Sequence, residues 1–297
     1  MRNFDVVVIG QGYAGLMAAR LAAERGLSTA NVEAMFAGGL VMSINELEPS
    51  PDAGAEGGGD LTSTIAMENM DRGIETISSP VAAVERNGTG WKVRTDEGEL
   101  GAKNVIVASG ARLRKLGVPG EEEFFGRGVS ECADCDGPMY GGATCVVVGG
   151  GDSAFQEALA LTHYAESVKI LLRGAAPRAR TDLVERVARE PKISVITGTE
   201  VREVVGDASG VTGVRVANGL GEETLPCAGV FVFVGLDPVS GFLPGEVERD
   251  ASGAVLADAA GRATLPGLFA IGAVRAGFGG LLTDAADDAA RAVAGIA

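Results

Sequence analysis

The apolar positions of this chain fall into short continuous runs closed by glycine rather than into long alternating stretches. Asp5 to Ile9 is one such run, flanked by a charge and by Gly10, and this pattern predicts a strand buried on both faces. Gly10-Gln11-Gly12-Tyr13-Ala14-Gly15 follows, and then Leu16 to Arg25, where alanine and leucine recur at helical spacing. The same order of strand, glycine turn and helix returns at Thr144 to Val148, at Gly149-Gly150-Gly151-Asp152-Ser153-Ala154 and at Phe155 to Thr162. Further strands are expected at Val105–Ala108, Val168–Leu172, Ile193–Ile196, Val230–Val234 and Gly267–Gly272, with a last helix from about Leu282 to Ala294. Strands alternating with helices predict an α/β chain built on parallel, doubly wound sheets. Asp52 to Asp60 has no period and few side chains to pack, so it is expected to be a mobile surface loop.

One glycine-rich turn between a strand and a helix can be purely structural. Two of them, each after an apolar strand and before an alanine-rich helix, point to two Rossmann-like dinucleotide sites. Glycine is needed there because the backbone must approach a pyrophosphate closely, while the helix N-terminus offers unpaired N–H groups to its charge.

A length of 297 residues allows two ordinary domains, and a formal charge of −15 repels a polyanion, which argues against nucleic acid as a ligand. The apolar run at the N-terminus is too short for a signal peptide core or a membrane span, and no later run reaches spanning length. A cytoplasmic location with no membrane partner is therefore expected. In that compartment 4 cysteines do not form a disulfide framework, so the close pair Cys132-Ala133-Asp134-Cys135 points to redox chemistry or to a metal. Two sulfurs at this spacing can exchange between dithiol and disulfide. The alternative is a zinc knuckle, for which Cys145 and Cys227 are poorly spaced as a second ligand pair; both lie in or beside apolar strands and read as small buried hydrophobes. No metal is expected.

Around these motifs the sequence resembles the low-molecular-weight, bacterial-type thioredoxin reductase family over nearly its whole length. Glu121 to Gly137 is similar to that family's stretch around C-A-T-C-D-G, Ala108-Ser109-Gly110-Ala111 resembles its A-T-G-A, and Val230 to Pro238 its V-F-V-F-I-G-x-x-P. The resemblance implies an FAD domain, residues 1–114 and 244–297, interrupted by an NAD(P) domain, residues 115–243, that carries the cysteine pair. It implies that Gly10, Gly12 and Gly15 face the FAD pyrophosphate, with Gly110, Gly272 and Ala273 at further flavin motifs. Glu33 sits where an acid would bind the adenosine ribose, an exposed turn glutamate being the other reading. Gly149, Gly151 and Ala154 match the NADPH turn, and Arg173 and Arg178 match two of three arginines that bind the 2′-phosphate, so NADPH is expected with NADH possible. Cys135 would face the flavin, Cys132 would attack the substrate disulfide, and Asp136 would be the acid–base group. The single histidine, His163, at the end of a predicted helix, is expected to be a packing or surface residue. A thioredoxin-like protein, to which Arg127 is the only pointer, or a small disulfide is the implied substrate, and a homodimer the expected assembly. The glycine-proline stretches Gly117–Gly120 and Gly241–Gly245 are expected hinges.

Three departures lie on the flavin side: Gly272-Ala273 where the family has glycine-aspartate, Gly279-Gly280 where it has arginine-glutamine, and Leu40 where it has glutamine. Two further readings accompany the reductase. One is an FAD-dependent dithiol oxidase with oxygen as acceptor, which the retained Gly149 to Ala154 turn disfavours. The other is a non-catalytic redox sensor, which the intact cysteine pair and Asp136 disfavour.

Overall fold

The computed structural model describes residues 1–47, 50–51, 54–55 and 57–296. Within the expected loop, Asp52, Ala53 and Glu56 lie outside the described residues, and Gly58 to Asp60 are not loop but the first turn of the helix Gly58–Asp71. The chain divides into two compact units, Met1–Arg112 with Asp237–Ala297, and Leu113–Leu236. The crossings thus fall at 112/113 and 236/237 rather than at 114/115 and 243/244. The second boundary moves upstream because the segment after it is tied to the first unit: Val239 N–H donates to the Gly110 carbonyl at 3.0 Å, and Ser240 Oγ to the Gly253 carbonyl at 2.7 Å. Neither expected hinge lies at a crossing. The buried Glu121 carboxylate accepts from the N–H groups of Leu116 at 2.7 Å and Gly117 at 2.6 Å, which fastens Gly117–Gly120 inside the second unit. Gly241–Gly245 lies inside the first.

In the first unit, Glu75–Ser78, Thr29–Glu33, Arg2–Ile9 and Gly98–Val107 lie side by side and parallel. The far edge of Gly98–Val107 is shared. Its first half pairs antiparallel with Gly90–Thr95 and its second half pairs parallel with Leu268–Ala270. Alternate residues of Arg2–Ile9 serve two cores, as strand geometry requires. Val6 and Val8 pack with the helices Tyr13–Glu24 and Leu282–Ala294, whereas Val7 and Ile9 pack with Trp91, Val93 and Val255 on the other face.

The second unit has a five-stranded parallel sheet in the order Ile193–Ile196, Ser167–Leu171, Thr144–Val148, Gly229–Val232, Val129–Ser130. Helices Asp152–Leu161 and Thr181–Arg189 cover one face through Phe155, Leu161 and Leu183. The other face is covered not by helices but by an antiparallel meander, Glu200–Asp207, Gly210–Asn218 and Gly221–Pro226, through Val201, Val204, Val214 and Val216. The sequence pattern predicts no strand between Ile193–Ile196 and Val230–Val234, so these three are additions to it. Among the described residues no helix is long and apolar enough to cross a membrane.

Candidate functional site

The first glycine turn is dictated by close backbone approach. Gly10 has φ 104°, and a Cβ there would lie 2.3 Å from the Ala108 carbonyl oxygen; a Cβ at Gly15 would lie 2.0 Å from the Gly10 carbonyl oxygen. Only glycine lets strand, turn and helix meet this tightly. Gly12 is the N-cap of Tyr13–Glu24. Glu33 ends the neighbouring strand and is not a loose turn residue. Its Oε2 accepts the Gln11 N–H at 2.8 Å, and its Oε1 accepts those of Ala34 at 2.8 Å and Met35 at 3.1 Å. The Gly12–Gly38 bridge ties the following segment to the turn, and on that segment Met35, Phe36, Leu40 and Met42 stand exposed. These apolar side chains thus stand exposed to solvent next to the first glycine turn.

Gly110 has φ 67° with open space around it, and Gly272 has φ 66° with a Cβ position only 2.9 Å from that of Ala14. The Gly272–Val274 turn therefore abuts the first residues of the helix Tyr13–Glu24. Ala273 puts a half-buried methyl group on this turn. A carboxylate does reach the turn, from Asp288 on the last helix, but it is spent on the Gly272 N–H at 3.0 Å and on Arg275 and Arg291.

At the second turn Gly149 has φ 147°, and a Cβ there would lie 2.2 Å from the Phe233 carbonyl oxygen. Gly151 caps Asp152–Leu161, and Ala154 is wholly buried beneath it. The segment after Ser167–Leu171 folds back on this turn, since the Arg178 N–H donates to the Gly150 carbonyl at 2.7 Å. Arg173 and Arg178 are both exposed, and neither has an acidic partner among the described residues. Arg180 differs: its backbone N–H and guanidinium both engage Asp152.

Cys132 and Cys135 are joined by a disulfide. Cys132 is half-buried and caps the single helical turn Ala133–Asp136, its Sγ accepting the Cys135 N–H at 3.1 Å, while Cys135 is exposed. Asp136 is half-buried, and its charge, after burial, is a cause lifting the Tyr140 hydroxyl to about 12. Burial pushes the thiols of Cys145 and Cys227 up to about 12 as well, so both are poor nucleophiles and poor ligands. Among the described residues no cluster of His, Cys, Asp and Glu could hold a metal. Arg127 is exposed and lies 5.5 Å over the Phe124 ring. His163 is exposed, with its ring 6.3 Å from that of Tyr164.

Sequence reasoning missed Glu157. Its Oε2 accepts the N–H of Ala133, between the two cysteines, at 2.7 Å. The available signal was an acid on the otherwise apolar face that carries Ala154, Ala158 and Leu161.

The family described as pyridine nucleotide-disulphide oxidoreductase matches residues 4–293. A thioredoxin reductase of Treponema pallidum is 35% identical over 92% of this chain and 90% of its own length. That of Mycolicibacterium smegmatis is 40% identical over 90% of this chain and 87% of its own. The crystal structure of Lactococcus lactis thioredoxin reductase in its FR conformation has a TM-score of 0.93 and 36% identity, and covers 98% of this chain and 97% of that one.

Proposed function

Because the chain belongs to the pyridine nucleotide-disulphide oxidoreductase family, in its bacterial-type thioredoxin reductase branch, we propose that it passes electrons from NAD(P)H through FAD to Cys132–Cys135 and on to a thioredoxin-like protein or small disulfide. The observation that carries this reading is the disulfide on the unit that also holds the second glycine turn and the exposed Arg173 and Arg178.

The residues present fit both cofactors. Gly10, Gly12, Gly15 and Glu33, with the exposed apolar side chains beside them, would hold FAD, with Gly110, Gly272 and Ala273 along its flavin half. Gly149, Gly151 and Ala154 would hold the nicotinamide dinucleotide, and Arg173 and Arg178 the 2′-phosphate that distinguishes NADPH. When bound, these groups supply a hydride and relay its electron pair. Loss of the family's aspartate at Ala273 removes one charge-assisted contact to FAD, about 1.5–3 kcal/mol, which weakens binding without abolishing it.

With the pair reduced, Cys132 attacks the substrate disulfide as a thiolate, forming a mixed disulfide and releasing one substrate thiol. Cys135 then displaces the second thiol and closes the Cys132–Cys135 bond. Two electrons and two protons leave this chain and appear on the substrate. Asp136 moves the proton at the cysteine pair. Arg127 supports a thioredoxin-like partner, and a homodimer, testable by light scattering, is part of the proposal.

One absorbance spectrum before and after anaerobic NADPH tests this reading. A yellow protein bleached by NADPH is expected. A flavin that NADPH leaves oxidised would favour a dithiol oxidase, and a colourless protein that takes up no added FAD would leave only a redox sensor.

A further inference from the structure

The turn that carries the cysteines is too short to satisfy its own backbone. The first N–H groups of any helix lack a helical acceptor, and in a helix as short as Ala133–Asp136 those are nearly all of its N–H groups. Most are met from within the segment. Ser130 Oγ takes the Cys132 N–H at 3.1 Å, Cys132 Sγ takes that of Cys135 at 3.1 Å, and the Cys132 carbonyl takes that of Asp136 at 3.2 Å. The Ala133 N–H is met from elsewhere in the chain, by Glu157 at 2.7 Å.

Glu157 stands in the helix Asp152–Leu161, which the Gly149–Gly151 turn opens, and it points from that helix into the buried side of the cysteine turn, where Ala133 is wholly enclosed. An acid on that face loses solvation, a cost that a leucine or methionine would not bear. Burial accordingly lifts the Glu157 carboxyl to about 7, with the charge of Asp134 adding to the effect and the Ala133 N–H opposing it. Once the carboxyl is ionised, above about pH 7, a charge-assisted hydrogen bond to the backbone between the two sulfurs offsets that cost.

On the reading of Cys132–Cys135 as the redox pair, we propose that Glu157 is its positioning residue, holding the backbone between the cysteines in the geometry of the disulfide. The bond favours the oxidised pair. Removing it shifts the dithiol–disulfide equilibrium toward the dithiol by about tenfold or more, the worth of one charge-assisted hydrogen bond made in one state only.

The holoenzyme equilibrated in glutathione buffers measures this directly. In that exchange two glutathione thiols are oxidised to glutathione disulfide while the Cys132–Cys135 bond breaks and each sulfur takes a proton; alkylation and mass spectrometry read the reduced fraction. Glu157→Ala should shift the equilibrium constant by about tenfold or more toward the dithiol. Glu157→Gln, whose amide oxygen accepts the same bond, should return to within about threefold of wild type, well short of the tenfold that one hydrogen bond is worth. If Glu157→Ala fails to fold, Glu157→Asp carries the test, because its shorter side chain withdraws the acceptor. An unshifted Glu157→Ala, or a Glu157→Gln that behaves like it, overturns the positioning role while leaving the redox reading intact. A wild-type pair that excess dithiothreitol cannot reduce overturns both.

Discussion

Asp288 reaches across 16 residues to accept the backbone N–H of Gly272 at 3.0 Å. The carboxylate is 4% exposed and is also held by Arg275, itself 18% exposed, at 2.9 Å, and by Arg291 at 2.7 Å. Truncating one partner of a buried ion pair leaves the other charge uncompensated, which typically costs about 3–5 kcal/mol. The half-exposed Arg291 can turn to water, so Asp288→Ala should lose about 3 kcal/mol, near the lower end of that range. Denaturant unfolding measures it. The same variant should release FAD more readily than wild type on dilution, because the Gly272–Val274 turn loses its tether. Unchanged stability would mean that the network contributes nothing.

Gly149→Ala sets a methyl group 2.2 Å from the Phe233 carbonyl oxygen at a φ of 147°. Backbone strain of this kind costs about 1–3 kcal/mol and displaces the turn. The variant should keep its flavin spectrum, since the first glycine turn is untouched, and lose reduction by NADPH at least about tenfold, the worth of one such displaced contact. Normal reduction by NADPH would remove this turn from the nicotinamide site.

Exposed and, among the described residues, free of acidic partners, Arg173 and Arg178 should favour NADPH over NADH. The Arg173→Ala/Arg178→Ala double variant should raise KM for NADPH by about tenfold or more and leave KM for NADH nearly unchanged, because only the former loses charge-assisted contacts. Stopped-flow flavin reduction with each nucleotide checks this; equal wild-type rates that the double variant does not alter would refute it.

Cysteine chemistry offers a count as well as a rate. After reduction of the native protein, Cys132 and Cys135 should react with a thiol reagent, while Cys145 and Cys227, lifted to about 12 by burial, should react only on unfolding. Cys132→Ser should retain flavin reduction and lose disulfide reduction, and Cys135→Ser should lose transfer from flavin to the pair. Asp136→Asn should slow the dithiol–flavin step by roughly 10²–10⁴-fold without slowing hydride transfer. Full disulfide reductase activity in all three variants would make this segment structural.

The Glu157 carboxyl, lifted from its ordinary 4.5 to about 7, gives the fold a pH dependence of definite sign. Between those values the folded protein keeps a proton that the unfolded chain has released, so this group's contribution to stability falls as pH rises through the window. At about 1.4 kcal/mol per unit the loss is about 3 kcal/mol at most by pH 7. Glu157→Gln has no such proton, and urea melts from about pH 5 to about pH 8 should show a flatter profile than wild type. Parallel profiles would place the titration elsewhere.

Both glycine turns and the cysteine pair were legible in the sequence because each depends on local chemistry. Gly10, Gly15 and Gly149 answer to backbone approach within a strand–turn–helix unit, and Cys132 and Cys135 to a spacing of three residues. The parallel strand at Thr144–Val148 and the helix Leu282–Ala294 were legible for a related reason, since burial leaves its mark in the residues themselves, as a continuous apolar run in the strand and a helical period in the helix. Tertiary structure alone decided what depends on partners far along the chain. Glu200–Asp207 alternates too weakly to announce a strand and becomes one by covering the second sheet. Gly241–Gly245 reads as a hinge until the bonds around Ser240 tie that segment to the first unit. Glu157 and Asp288 are ordinary helix acids in the sequence; what each carboxylate does was set by a backbone N–H, of Ala133 and of Gly272, that only folding brings within reach.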